Sequence, residues 1–356
     1  MFPLFASLPY FIFFFLFTIL LFFKNIKNTQ QWLNIIFLSM VLILFFYKGE
    51  YSDWRTYISY ANSCNCLGCT YFEFGYDFLT FIAFQTIGFY LIPIVSLSLQ
   101  YIALTKFKRL VQTKIQYVIL IFSIFLVFLP LYYGALRQSI SFSLILLGYI
   151  YFYQNKYFIA VLISFIAISF HLSAIIIIFF YLLYYLFFKL LNTNKFIIFT
   201  ILSYFIGIYL MNMIFDYIKI IESFNLGMLN TGIDSTGLKA YLLPIERIII
   251  LIMSFYLLIK TNYQDKFFHN VILFGIIGAI FYLVVYKFSL NTAGRTVAFF
   301  RMADIYIIYY FFKNILQKNT ISIFLNETIN NIGILSIIFY TLLKYYFTII
   351  SVGFFR

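Results

Sequence analysis

The run Asn270-Val-Ile-Leu-Phe-Gly-Ile-Ile-Gly-Ala-Ile-Phe-Tyr-Leu-Val-Val-Tyr286 carries no charge, and apolar runs of this kind recur along the whole chain. About 20 apolar residues in an α-helix cross a hydrocarbon core. Lipid offers no partner to a backbone N–H or C=O, so a spanning segment must satisfy its own polar groups as a helix or close into a barrel. Barrel strands would appear as segments of about ten residues in strict alternation, and the chain contains none. Soluble domains carry about 25% charged residues. This chain carries 10%, with 64% hydrophobic residues, which excludes a soluble enzyme or binding module.

The expected fold is therefore all-α: a polytopic integral membrane protein with about 11–12 transmembrane helices in a single transmembrane domain over 1–356. The apolar runs place spans at roughly 4–23, 32–47, 89–105, 115–131, 136–153, 157–170, 172–188, 196–215, 243–259, 269–288, 296–312 and 331–349. The stretch 74–87 reads as a short interfacial helix. Phe2 to Phe23 lacks the basic start and small-residue cleavage site of a signal peptide, and is read as the first span.

Placing the amino terminus outside puts Lys24, Lys27, Lys106, Lys108, Arg109, Lys114, Lys156, Lys189, Lys195, Lys260, Lys266, Lys313 and Lys318 on inner connections. The outer side then collects Glu50, Asp53, Glu73, Asp77, Asp216, Glu222, Asp234 and Glu246. This is the lysine and arginine bias that orients membrane proteins. It also accounts for the net charge of +13 without nucleic acid, since the basic residues are scattered between spans and do not line one face. Two outer loops, about 48–88 and about 216–242, are long. All three cysteines fall in Asn62-Ser-Cys-Asn-Cys-Leu-Gly-Cys69. With no fourth metal ligand nearby, one disulfide plus a leftover thiol on an oxidising face is the expectation.

Six of the seven arginines lie on outer loops or outer halves of helices: Arg55, Arg137, Arg247, Arg295, Arg301 and Arg356. A guanidinium fork meets two phosphate or carboxylate oxygens at once, which an ammonium cannot do. Arg137 opens the run Gly134-Ala-Leu-Arg-Gln-Ser-Ile-Ser-Phe-Ser, where arginine at membrane depth costs about 2.5–3.5 kcal/mol on insertion scales. Ser141, Leu144 and Gly148 follow it at helical spacing, a stripe that admits a close neighbouring helix, so Arg137 should face the bundle. His171 and Ser173 lie between two spans at the same outer level. Glu246 and Arg247 suggest a local ion pair, and Asp304 stands at i+3 from Arg301. Converging guanidinium groups at headgroup depth suit a lipid-linked diphosphate, whose tail would lie between helices.

The ordered set Lys48-Gly-Glu-Tyr-Ser-Asp-Trp-Arg-Thr-Tyr57, Phe72-Glu-Phe-Gly-Tyr76, Leu136-Arg-Gln-Ser-Ile140, Phe170-His-Leu-Ser-Ala174 and Gly294-Arg-Thr-Val-Ala-Phe-Phe300 resembles the EpsG family, which belongs with Wzy-type polymerases of O-antigen, capsule and exopolysaccharide. The resemblance implies a scaffold like that of multi-spanning GT-C-like glycosyltransferases in a bacterial inner membrane. It implies a metal-independent, cofactor-free polymerase that transfers a growing glycan from undecaprenyl diphosphate to a lipid-linked repeat unit at the periplasmic face. Its partners would be that lipid-linked glycan, membrane lipid and a chain-length-determinant protein. On this sequence the resemblance gives the diphosphate to Arg137 and Arg295, with Lys48 standing where many relatives have arginine, and the clustering of arginines at one depth adds Arg301. Sugar contacts fall to Trp54, Glu73 and Tyr76, and the catalytic base to Asp53 or His171.

Two other readings remain. An O-antigen ligase would use the same donor, but such enzymes usually carry one dominant late outer loop. A lipid-linked oligosaccharide flippase should show a two-fold repeat and charges along a mid-membrane path, whereas the polar residues here cluster near one surface.

Overall fold

The computed structural model describes residues 54–70, 72–110, 135–183, 198, 200–210, 212–213, 238–260, 266–286, 293, 298–316, 336 and 340. Its helices are α1 (Trp54–Ser63), α2 (Phe74–Gln85), α3 (Leu91–Leu110), α4 (Leu136–Tyr153), α5 (Tyr157–Phe170), α6 (Ile175–Leu183), α7 (Thr200–Leu210), α8 (Leu238–Lys260), α9 (Lys266–Tyr286) and α10 (Arg301–Leu316). Short 3-10 turns at Gly88–Tyr90, Leu172–Ala174 and Ala298–Phe300 lead into α3, α6 and α10. No strand occurs among the described residues. Gly88–Phe107, Leu242–Lys260 and Phe268–Tyr286 are each long and apolar enough to cross a membrane, and α5 and α7 are shorter apolar helices. The protein is an all-helical, polytopic membrane protein.

The spans expected at 136–153 and 157–170 coincide with α4 and α5, and those at 89–105, 243–259 and 269–288 fall on α3, α8 and α9. The short helix expected at 74–87 is α2. Spans expected at 4–23, 32–47 and 115–131, most of 331–349, and the loop 216–242 up to the start of α8 lie outside the described residues. Two compact units divide at Ile178 and Phe179.

In the first unit α4 is buried continuously from Gln138 to Ile150, as expected of a helix enclosed by others. Its neighbour α5 does the opposite. Only Ala160, Ser164 and Ala167 are buried there, while Phe158 is 82% exposed and Leu162, Phe165 and Ile166 stand out beside it. In water this would be an unmanaged apolar patch; in a bilayer it is the face turned to lipid. The small residues let α5 approach α4, and the Ser141 hydroxyl donates to the Ala167 carbonyl at 2.9 Å. Ser141, Leu144 and Gly148 are all buried. Between α3 and α4, Gln100 Nε2 donates to Ser139 Oγ at 2.5 Å, and Ser96 Oγ lies 2.8 Å from the same hydroxyl. Such interhelical bonds contribute roughly 0.6 kcal/mol each in membrane proteins.

In the second unit α9 packs on α10 through glycines one turn apart. A Cβ at Gly278 would strike the Phe300 side chain, and one at Gly275 would strike Ile307 and lie 3.4 Å from Ala303. Across the unit, Arg247 of α8 is 1% exposed and grips Asp304 of α10 with both arms of its fork, Nη1 to Oδ1 at 3.1 Å and Nη2 to Oδ2 at 2.7 Å. Arg247 also pairs with its neighbour Glu246 at 2.5 Å, and the Tyr340 hydroxyl donates to Glu246 at 2.6 Å. The local Glu246–Arg247 pair thus forms as expected, while Asp304, which stands at i+3 from Arg301, pairs with Arg247 instead. Asp304 is fully buried and turned to α8, where a facing guanidinium meets both its oxygens. The Nε of Arg301 is buried with no hydrogen-bond partner among the described residues.

Candidate functional site

The site in the first unit starts from the hinge between α1 and α2. Cys64, just past α1, forms a disulfide with Cys69, and Cys66 is left free and exposed. The loop they close is pinned from α2: Asp77, in the first turn of that helix, accepts from the Gly68 N–H at 2.5 Å, the Thr70 N–H at 3.0 Å and the Thr70 hydroxyl at 2.7 Å. Burial pushes the Asp77 carboxyl up, but these donors outweigh it and hold the group below its ordinary value. Gly68 sits at φ +83°, a conformation that favours glycine. The start of α2 is thereby tied to the end of α1.

Glu73 occupies the N-cap of α2, where an acid usually bonds the first free N–H groups of its own helix. It makes no such bond. Instead its Oε2 accepts from Nη1 of Arg137 and its Oε1 accepts from the Leu172 N–H at 3.1 Å. One carboxylate thus joins the start of α2, the start of α4 and the turn after α5. Gly75 makes this junction possible: a Cβ there would lie 2.9 Å from the Ser169 carbonyl oxygen and nearer still to its hydroxyl.

The Arg137 guanidinium lies over the Phe72 ring, 4.0 Å from its centroid, and 5.9 Å from that of Tyr76. Phe72, Tyr57 and Tyr76 pack edge-on or tilted against one another, with centroids 5.3–5.8 Å apart, and Tyr60 joins Phe72 at 5.3 Å. The Tyr57 side chain adds a hydrogen bond to Arg137. A cation over an aromatic face is worth about 0.5–1 kcal/mol in the open and about 2 when desolvated. The pair remains reachable, at 18% exposure for Arg137 and 25% for Glu73. Burial would raise the Glu73 carboxyl, but Arg137, the N–H groups of Glu73 itself and Leu172, and His171 together hold it below its ordinary value. His171 stands in extended conformation at the end of α5, with Nδ1 2.6 Å from the Ser173 hydroxyl.

The structure therefore brings together Arg137, Glu73, Tyr76 and His171, which the sequence singles out, and adds Tyr57, Phe72 and Asp77. Tyr57 and Phe72 sit inside the quoted motifs, and their aromatic character was the one available signal. Asp77 offers none beyond being an outer acid. Asp53, Lys48, Arg295 and the Trp54 side chain lie outside the described residues. Arg301 belongs to the second unit. Among the described residues no three His, Cys, Asp or Glu side chains gather as metal ligands would.

An apolar helical bundle that sets an arginine over an aromatic ring, paired with a carboxylate from another helix, is a membrane protein with a polar site at the start of α4. A sequence model of the EpsG family matches residues 30–355, and the chain belongs to that family. The family includes Wzy-type polymerases and points to glycosyltransferase-like membrane proteins of polysaccharide biosynthesis. No curated protein and no solved structure matches the chain.

Proposed function

We propose that the protein is a polysaccharide polymerase that moves a growing glycan from undecaprenyl diphosphate onto a lipid-linked repeat unit, at the outer face of a bacterial inner membrane. The observation that carries this reading is the Arg137 guanidinium, held 4.0 Å over the Phe72 ring and still partly exposed at the start of α4. Diphosphate leaves with growing negative charge, and a fixed cation aimed at that charge lowers the barrier. Losing one such donor typically costs about 2.7–4 kcal/mol. Tyr57 and Tyr76 are buried and pack against Phe72, so they serve this site from beneath, holding the ring that carries the guanidinium. The Cys64–Cys69 disulfide supports the outward orientation, because disulfides persist in oxidising compartments. Lys48 would supply further positive charge, and Asp53 and Trp54 further contacts. The reaction needs no metal or cofactor in this reading, and a chain-length-determinant protein is its natural partner.

The test is the glycan ladder of a deletion strain on a gel. Loss of a polymerase leaves single repeat units attached at the surface. A surface without any attached glycan would identify a ligase instead, and an accumulation of lipid-linked units on the inner leaflet a flippase.

A further inference from the structure

Glu73 is an acid placed where its own helix has no use for it. It caps nothing in α2, yet its Oε2 accepts from Nη1 of Arg137, where a phosphate oxygen would also be received. Arg137 has two further holds, the Phe72 ring 4.0 Å below it and a hydrogen bond with Tyr57, while its buried Nε has no hydrogen-bond partner among the described residues. Glu73 in turn keeps the Leu172 N–H on its other oxygen if Arg137 is taken away.

We propose that Glu73 is a stand-in for phosphate on Arg137: the donor diphosphate displaces it, and the released carboxylate then takes the proton of the acceptor hydroxyl. This rests on the reading that Arg137 binds the diphosphate. While paired, Glu73 is a poor base, because the adjacent cation stabilises its ionised form. Once a phosphate shares that cation, the proton affinity of Glu73 rises, so the base is armed only when the leaving group is seated. The acceptor O–H bond then breaks, its proton passing to Glu73. The oxygen lone pair forms the new bond to the anomeric carbon, and the bond from that carbon to the diphosphate oxygen breaks with its electrons staying on the diphosphate against Arg137. Departure of the diphosphate lets Glu73 lose its proton to solvent and return to the fork. The titratable and charged groups around Glu73 are Tyr57 and Tyr60 of α1, Tyr76 and Asp77 of α2, Arg137 of α4 and His171 after α5. Asp77 is committed to Gly68 and Thr70.

The experiment uses the purified full chain with farnesyl diphosphate as the probe, alongside glycan ladders from cells carrying the same variants. Glu73→Gln should bind the probe several-fold more tightly than the natural protein, while polymer is lost; Glu73→Asp should keep partial polymer with a shifted pH profile. Weaker probe binding by Glu73→Gln, as weak as by Arg137→Ala, would make Glu73 a strut and end the proposal, as would a full ladder from Glu73→Gln. Should Glu73→Gln fail to accumulate, the natural protein answers: carbodiimide modification of Glu73, read by mass spectrometry, should speed up when the probe is bound, and unchanged or slower modification overturns the exchange. Probe binding that survives Arg137→Ala instead removes the diphosphate reading of the site itself, whatever Glu73 does.

Discussion

Arg137 and Glu73 stand 64 residues apart in the chain and share one ion pair in the fold, with the guanidinium laid on Phe72. The pair uses the charge of arginine, and the same guanidinium lies over an aromatic ring. Arg137→Lys keeps the charge but loses the fork and the planar contact with the ring. The expected outcome is a drop in polymer formation of about 10²–10³-fold, close to that of Arg137→Ala. Chain-length distribution on a gel checks it, and a lysine variant with a normal ladder would remove the bidentate argument.

Gly75 decides whether α2 can reach α5. An alanine Cβ would stand 2.9 Å from the Ser169 carbonyl oxygen, which is backbone and cannot swing aside. Gly75→Ala should push α2 outward, cost about 1–3 kcal/mol as overpacking does, and weaken the Glu73 bond to Leu172. Thermal unfolding in detergent measures the first effect, and the glycan ladder the second.

The Arg247–Asp304 pair is buried on both sides, at 2% and 1% side-chain exposure. Removing one partner strands a buried charge, so Asp304→Ala should cost about 3–5 kcal/mol. Replacing both residues together by apolar ones of similar volume should recover much of that loss. Equal instability of the single and double variants would show that the pair contributes through shape and not through charge.

Asp77 holds the disulfide loop against α2. Its carboxyl titrates below the ordinary value of 3.8 in the folded protein. Its contribution is therefore complete above that value and is lost as pH falls through the lower, folded one. At neutral pH the ionised group is fully engaged, so Asp77→Ala should loosen the loop and speed reduction of Cys64–Cys69 by dithiothreitol several-fold. Alkylation of the released thiols followed by mass spectrometry gives the rate; an unchanged rate would mean that the loop holds itself.

Cys66 is free and exposed beside that disulfide, which makes it a reporter of orientation. A membrane-impermeant maleimide should label it in right-side-out vesicles without permeabilisation. Labelling that requires permeabilisation would turn the topology over and move the site to the inner face.

Helix placement was legible because the constraint is local. A residue buried in hydrocarbon must have its backbone bonded within its own segment and its side chain compatible with lipid, so the apolar runs mark α4 and α5 residue for residue. The same logic places Arg137 inward, since the small and polar positions behind it announce a neighbouring helix. Loop chemistry was legible only in kind: the cysteine spacing implies one disulfide and one thiol, while the choice of Cys64 with Cys69 belongs to the fold.

Which charge meets which was not legible. Asp304 has an arginine three residues before it, yet pairs with Arg247, 57 residues away. Glu73 has free N–H groups in its own helix, yet reaches Arg137 and Leu172. The chain by itself determined where the helices run, because that follows from the transfer of neighbouring residues into lipid. Only the tertiary structure decided the partners, because a desolvated carboxylate goes to the donors that packing brings end-on to its oxygens, and those donors come from other helices.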